Sequence, residues 1–253
     1  MKKFVLSCLV VVMAGCGSGG SESSPCSALK VAGGESCDSG EPKVALLAIS
    51  EGGMEYTCTG TYISQTAVLT ARHCVDGRPA SVLVVSSGHL TDASQVILHP
   101  YLDLAIVKVS NPIQVAPVSV SLFDYAPTIG EELVAYGYGM DETGAGVLER
   151  IQNSEAPLKA TSLSFAGSAA GGLYVTASNG SGNTCKGDSG GPVLAKNSAG
   201  QYGLIAVTSF SPNVSFTQPC IPIEAGYLAY DVSLQNAAAA DFILNTVPDV
   251  SVQ

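Results

Sequence analysis

The feature that most constrains the fold is a recurrence of strand-length apolar runs at spacings of about eight to fifteen residues, separated by Gly, Pro, Ser and Asn. Lys43 to Ser50 holds the run Val44–Ile49, bounded by Glu41-Pro42 and Glu51-Gly52-Gly53, and Met54 to Thr61 follows as a hairpin partner. Tyr62-Ile63, Ala67–Thr70, Ser81–Val85, Gln95–Leu98 and Leu104–Val109 continue the series. After a segment from Ser110 to Thr128 that carries Pro112, Pro117 and Pro127, it resumes at Glu132–Gly137, Arg150–Leu158, Gly172–Thr176, Pro192–Ala195, Tyr202–Phe210 and Tyr227–Val232. No long 3.6-residue period interrupts these runs, so the chain reads as an all-β sandwich or barrel, with the proline-bearing segment crossing between two β units. Asn236–Thr246, with four alanines and Pro248 as a stop, is the one convincing helix.

The N-terminus reads as an export signal. Lys2 and Lys3 precede an apolar run, Phe4–Met13, that is too short to span a bilayer, and small residues stand before Cys16. Met13-Ala14-Gly15-Cys16 resembles the bacterial lipobox, in which the cysteine becomes the lipid-bearing terminus; Gly17 after it is compatible with the outer membrane of a Gram-negative cell. Residues 1–15 are thus expected to be a lipoprotein signal peptide and 16–30 a tether and propeptide, with Gly17–Pro25 a flexible polar stretch. Of eight cysteines, Cys8 leaves with the signal and Cys16 carries lipid. An even number remains in an exported chain, which implies disulfides, although spacing alone chooses no pairing.

Composition excludes some partners. The formal charge is −10, with 11 Lys and Arg and no basic run, so a nucleic-acid partner is not expected. With three histidines, no C-x-x-C pair and no evident calcium-binding loop, neither a metal nor a cofactor is expected.

Cys185-Lys-Gly-Asp-Ser-Gly-Gly-Pro192 places one hydroxyl among three glycines, an acid and a proline beside a cysteine. By itself Gly-Asp-Ser-Gly fits a tight turn between two strands as well as it fits an active site. The rest of the chain decides, because acyl transfer needs a nucleophile, a base titrating near neutrality and a buried acid to orient that base. Ser189, His73 and Asp103 are of those types. His99 precedes Pro100 in a strand-end turn and His89 lies in a Ser/Gly-rich loop, so both are expected to be structural or solvated. Asp103 heads an apolar strand, where an unpaired carboxylate is costly and needs a partner such as His73.

Three segments together resemble the signatures of chymotrypsin/trypsin-type serine peptidases: Cys58-Thr-Gly-Thr-Tyr-Ile through Ala71-Arg-His73-Cys74, Asp103-Leu-Ala-Ile-Val, and Cys185-Lys-Gly-Asp-Ser189-Gly-Gly-Pro. They occur in that family's order, and the resemblance runs from about Val31 to the C-terminal helix. It implies an all-β fold of two packed six-stranded antiparallel Greek-key barrels with a C-terminal helix. The peptidase domain would be 31–246, with barrels at about 31–120 and 121–233 and the helix at about 235–246. The triad roles of His73, Asp103 and Ser189 are carried over from that family, for which they are the standard account. The resemblance further implies an oxyanion hole from the N–H groups of Gly187 and Ser189. It also implies activation by another protease between Lys30 and Val31, the new amino terminus pairing with Asp188. It pairs Cys58 with Cys74 and Cys185 with Cys220; Cys26 and Cys37 then remain for each other, a departure from trypsin that would keep the propeptide attached after cleavage.

The primary pocket is expected at Asn183 and Thr184, with Ser209-Phe210-Ser211 as the wall that binds extended substrate. Asn183 stands where trypsin has its selecting Asp, and Ser211 replaces a Gly, so small or medium uncharged side chains are favoured unless Glu224 reaches inward to restore a basic preference. The expected function is a serine endopeptidase, a monomer acting outside the cytoplasm on proteins or peptides and touching the membrane only through the Cys16 lipid. A catalytically idle binding module and an esterase on the same scaffold are the alternatives.

Overall fold

The computed structural model describes residues 35–37, 44–86, 89–113, 125–140, 158–180, 182–198, 202–212, 227–250 and 252, with 35–37 and 158–159 described as backbone only. Two closed antiparallel barrels account for nearly all of them. In the first, β2 (Val44–Glu51), β3 (Met54–Ser64), β4 (Ala67–Thr70), β5 (Ser81–Ser86), β6 (His89–Leu98) and β7 (Ala105–Val109) close in the order β2-β3-β4-β7-β6-β5. In the second, β8 (Glu132–Gly137), β9 (Leu158–Ala169), β10 (Leu173–Ser178), β11 (Pro192–Lys196), β12 (Tyr202–Phe210) and β13 (Leu228–Ser233) run β9-β10-β13-β12-β11-β8, and β8 pairs back onto β9. The short β1 (Glu35–Cys37) adds to the outside of β9, with Glu35 opposite Ala160.

The runs are continuously apolar rather than alternating because these strands bury both faces. Leu47, Val68 and Val107 point into the first barrel, whereas Leu46, Leu69 and Ile106 point out of it, against Tyr136, Leu194, Leu204 and Val232 of the second. Leu133, Leu163, Phe165, Val193 and Ile205 fill the second barrel. The α-helix α1 (Ala237–Thr246) is capped by Asn236, whose side chain accepts from the amide of Ala238, and packs Ala239, Ala240 and Ile243 into the seam between the barrels.

The architecture is the one expected: two six-stranded antiparallel barrels and a C-terminal helix. Two local expectations need correction. The strand read at Arg150–Leu158 lies, but for Leu158, outside the described residues, and a strand that the sequence reading left out runs over Leu158–Ala169; its run of Ala, Ser, Thr and Gly hides the alternation, and large inward side chains come only at Leu163 and Phe165. Strand β6 begins at His89 rather than Gln95, so that histidine opens a strand instead of sitting in a loop. Its first half is polar because that edge faces solvent, which leaves little hydrophobic pattern to read.

Candidate active site

The chain reverses after β4 through a 3-10 turn, Arg72–Cys74, which lifts His73 to the rim of the first barrel. A Cys58–Cys74 disulfide, with Cα atoms 6.3 Å apart, ties that turn to β3. Arg72 ties it to the approach to β7 by donating to the carbonyls of His99 at 3.0 Å and Pro100 at 2.9 Å. Asp103 lies on the same approach, immediately before buried Leu104. Its carboxylate meets His73 twice: Oδ1 accepts the backbone N–H at 2.8 Å and Oδ2 contacts Nδ1 at 2.8 Å. An ionised carboxylate only accepts, so Nδ1 carries the proton and Nε2 offers a lone pair.

Ser209 Oγ donates to the same Oδ2 at 2.5 Å, so one partly buried carboxylate serves three donors. Burial pushes the Asp103 pKa up, but these hydrogen bonds and the charge of His73 outweigh it and hold the group below the usual carboxylate value. For His73, burial acts downward, whereas the hydrogen bond to Asp103, its charge and that of Asp76 leave the imidazole above its ordinary pKa. His73 keeps 47% of its side chain exposed. The other two histidines are placed differently. His89 is exposed, and His99 is buried, with Nδ1 accepting from the amides of Tyr101 and Leu102 and its ring edge-on to Phe242.

The turn bearing Ser189 is held by backbone. Gly187 and Gly190 have φ of +91° and +84°, and a Cβ at Gly190 would collide with the Thr70 hydroxyl and the Thr59 carbonyl. The Thr59 amide donates to the carbonyl of Ser189 at 2.8 Å, while the Gly190 amide donates to the Thr208 carbonyl and the Thr208 amide to the Gly191 carbonyl, across the start of β11 and the end of β12. Among the described residues no hydrogen bond engages the N–H of Gly187 or Ser189, so both donors are free for an incoming oxygen. Ser189 Oγ donates weakly to the Ser209 carbonyl at 3.5 Å and makes no hydrogen bond to His73. Ser209 thereby touches both the acid and the hydroxyl.

Asp188 is fully buried, its Oδ1 accepting from the Gly139 amide at 2.8 Å and its Oδ2 from the Cys185 amide at 2.7 Å. The side of this niche is made by Gly137 and Gly139, where any Cβ would strike the carboxylate. Asn183 and Thr184 are buried beside it, and Asn183 Oδ1 accepts from the Thr184 amide at 2.8 Å. Phe210 is half exposed and stacks flat on Tyr230, whereas Ser211 turns its hydroxyl to the Leu228 carbonyl. Cys185 is disulfide-bonded. Cys16, Cys26, Lys30, Val31, Cys220 and Glu224 lie outside the described residues, and Cys37 is described as backbone only. Cys58, Cys74 and His73 lie close enough for a metal, but both sulfurs are in the disulfide and offer no thiolate.

Three features escaped the sequence reading. Ser209 aims its side chain at Asp103, a contact the reading did not include. Thr59 joins the barrels, and its only sequence signal is its place beside Cys58. Asp231 is fully buried on β13, with Oδ2 accepting from Thr176 Oγ1 at 2.8 Å. Burial, only partly countered by Thr176 and Thr208, pushes its pKa up to about 7.

The family model described as trypsin matches residues 31–224. A trypsin of Saccharopolyspora erythraea is 27% identical over 203 residues, which are 71% of this chain and 86% of that protein. Chymotrypsin-like elastase family member 1 of Felis catus is 27% identical over 195 residues, 66% of this chain and 73% of its own. Among solved structures, the scabies mite inactivated protease paralogue S-I1 shares the fold with a TM-score of 0.64 at 20% identity, over 85% of this chain and 98% of that one.

Proposed function

This chain belongs to the trypsin family of chymotrypsin-like serine peptidases, and from that premise we propose that it is a serine endopeptidase working through an acyl-enzyme. The observation that carries the reading is the double hydrogen bond by which Asp103 fixes His73, on the rim that also receives the Ser189 turn. His73 Nε2 takes the Ser189 proton as Oγ attacks the scissile carbonyl, and the amides of Gly187 and Ser189 receive the oxyanion. His73 then protonates the leaving amine, and water repeats the sequence to release the acid. To begin, Ser189 leaves the Ser209 carbonyl by rotation about χ1, a small step because hydrogen bonds of this kind are commonly loose before substrate binds. With Asn183 at its base, the pocket favours uncharged side chains of small or medium size.

Activation by cleavage after Lys30 is part of the proposal. Ser36 of β1 and Gly137 of β8 both pair with Lys159, so they flank β9 and lie about 10 Å apart. From Ser36, five residues back to Val31 reach at most about 17 Å, enough to bring a new amino terminus to Asp188, which hydrogen-bonds Gly139 just beyond β8. Anchoring through Cys16, and a Cys26–Cys37 bridge that keeps the anchor attached after cleavage, complete the reading of the precursor. Among the described residues no helix is long and apolar enough to cross a membrane.

One observation favours an idle binding module: the Ser189 hydroxyl rests on Ser209 rather than on His73. Fluorophosphonate labelling of the chain cut after Lys30 separates the two. Labelling that disappears in Ser189→Ala is expected, and an unlabelled, fully cleaved wild type would overturn the peptidase reading.

A further inference from the structure

Gly187 must present its N–H to an oxyanion, yet a glycine at φ +91° has no side chain to hold its backbone. The restraint comes from the other barrel. Along β3 the side chain of Cys58 and that of Tyr62 turn into the first barrel, while Thr59 turns out toward the second. Thr59 is fully buried and makes four hydrogen bonds. Its hydroxyl donates to the Gly187 carbonyl at 2.7 Å and accepts the Tyr138 amide at 3.0 Å. Its amide donates to the Ser189 carbonyl at 2.8 Å, and its own carbonyl accepts from Thr70 Oγ1 at 2.8 Å.

We propose that Thr59 is a positioning residue for the oxyanion hole, its hydroxyl clamping the Gly187 carbonyl so that the two donor amides on either side of Asp188 keep a fixed spacing. Fixing that carbonyl fixes ψ of Gly187, the rotation that would otherwise swing the Gly187–Asp188 peptide. The backbone contact to Ser189 holds the far end of the same turn. Through Tyr138 the hydroxyl also braces the residue before Gly139, whose amide holds Asp188 Oδ1. One side chain therefore links the orientation of the nucleophile turn to the niche of the buried acid. Removing the hydroxyl takes the partner from the part-buried Gly187 carbonyl and the buried Tyr138 N–H, and both recover one only by moving.

The proposal rests on Ser189 acting as nucleophile, so its test has one arm that needs no activity. Thr59→Val keeps the shape and removes the hydroxyl, and Thr59→Ser keeps the hydroxyl. In the full chain, amide hydrogen exchange at the bonded amides of Tyr138, Asp188 and Gly190 is expected to quicken about tenfold or more in Thr59→Val and to stay near wild type in Thr59→Ser. In the activated enzyme, kcat for an ester substrate should fall by about 10- to 100-fold in Thr59→Val with KM within about twofold, because only the transition state uses the hole. Affinity for a peptidyl aldehyde, whose oxyanion occupies the hole, should fall in parallel, and Thr59→Ser should restore both. If Thr59→Val does not fold, Thr59→Ala takes its place beside Thr59→Ser. Unchanged exchange in the hydroxyl-free variant overturns the proposal even if the wild type proves inert. In an active wild type, equal losses in the Ser and Val variants, or a kcat loss with aldehyde affinity intact, overturn it as well.

Discussion

The two barrels hold their halves of the site by opposite means. On the first, His73 and Asp103 sit on a partly open rim and are fixed by side chains: the carboxylate accepts from an imidazole, an amide and the Ser209 hydroxyl. On the second, the Ser189 turn is fixed mainly by backbone bonds and by the absence of side chains at Gly187, Gly190 and Gly191, with the Thr59 hydroxyl reaching in from the other barrel. A charged pair needs partners that keep it ionised, whereas a nucleophile awaiting an oxyanion needs amides left unpaired. The first half should therefore respond to changes of hydrogen-bonding atoms at constant shape, and the second, apart from the Thr59 hydroxyl, to added volume at constant chemistry.

Asp103→Asn is the sharpest break on the first side. It keeps the shape but reverses the preferred His73 tautomer, and kcat is expected to fall by about 10⁴-fold, the loss characteristic of this triad rather than one calculated from the present geometry. Steady-state kinetics on an activated ester measures it. The wild-type profile carries its own check: His73 must be neutral to accept a proton and its pKa is raised, so kcat/KM should fall, as pH falls, at a pH above the ordinary imidazole value.

Gly190→Ala is the matching break on the second side. The added methyl meets positive φ together with the Thr70 hydroxyl and the Thr59 carbonyl. Denaturant unfolding should show a loss of about 2–4 kcal/mol, with activity down by about 100-fold or more. An alanine variant that keeps wild-type turnover would break the contrast between the halves.

Asp231 tests whether the second barrel tolerates a charge without a full set of partners. Its Oδ1 has none among the described residues. Because the folded group keeps its proton up to about pH 7 while the unfolded chain loses it near the ordinary carboxylate value, stability should fall as pH rises through that window. Asp231→Asn should flatten that slope between about pH 4 and 7 and gain on the order of 1–3 kcal/mol at and above its upper end, read from melting curves. The contribution of His73 has the same sign, since its raised pKa also favours the folded state at lower pH, but it is present in both proteins and cancels.

The smallest effect belongs to Ser209→Ala, which removes one of three donors to Asp103. A loss of about three- to tenfold in kcat at constant KM is expected. A rise in KM at constant kcat would instead make Ser209 a substrate contact, as the sequence reading had it.

Strand positions were legible wherever both faces are apolar, as at Val44–Ile49 and Leu104–Val109, and illegible at Leu158–Ala169, where small residues carry the pairing through backbone alone. The residues proposed as the triad were legible because each is a rare type in a distinctive setting: a histidine before a cysteine, an acid at the head of an apolar strand, a serine among glycines. Their mutual geometry was not. The resting contact of Ser189 with Ser209, the second duty of Ser209 on Asp103 and the burial of Asp231 all depend on strands distant in sequence.

By itself, then, the sequence determined two all-β units, a C-terminal helix and which side chains could carry charge, because hydrophobic period and turn chemistry act locally. Only the tertiary structure decided how Cys58 and Thr59, adjacent on one strand, divide between the two halves of the site. The strand alternates its faces, so Cys58 reaches back through its disulfide to the turn of His73 while Thr59 reaches across the seam to Gly187 and Ser189.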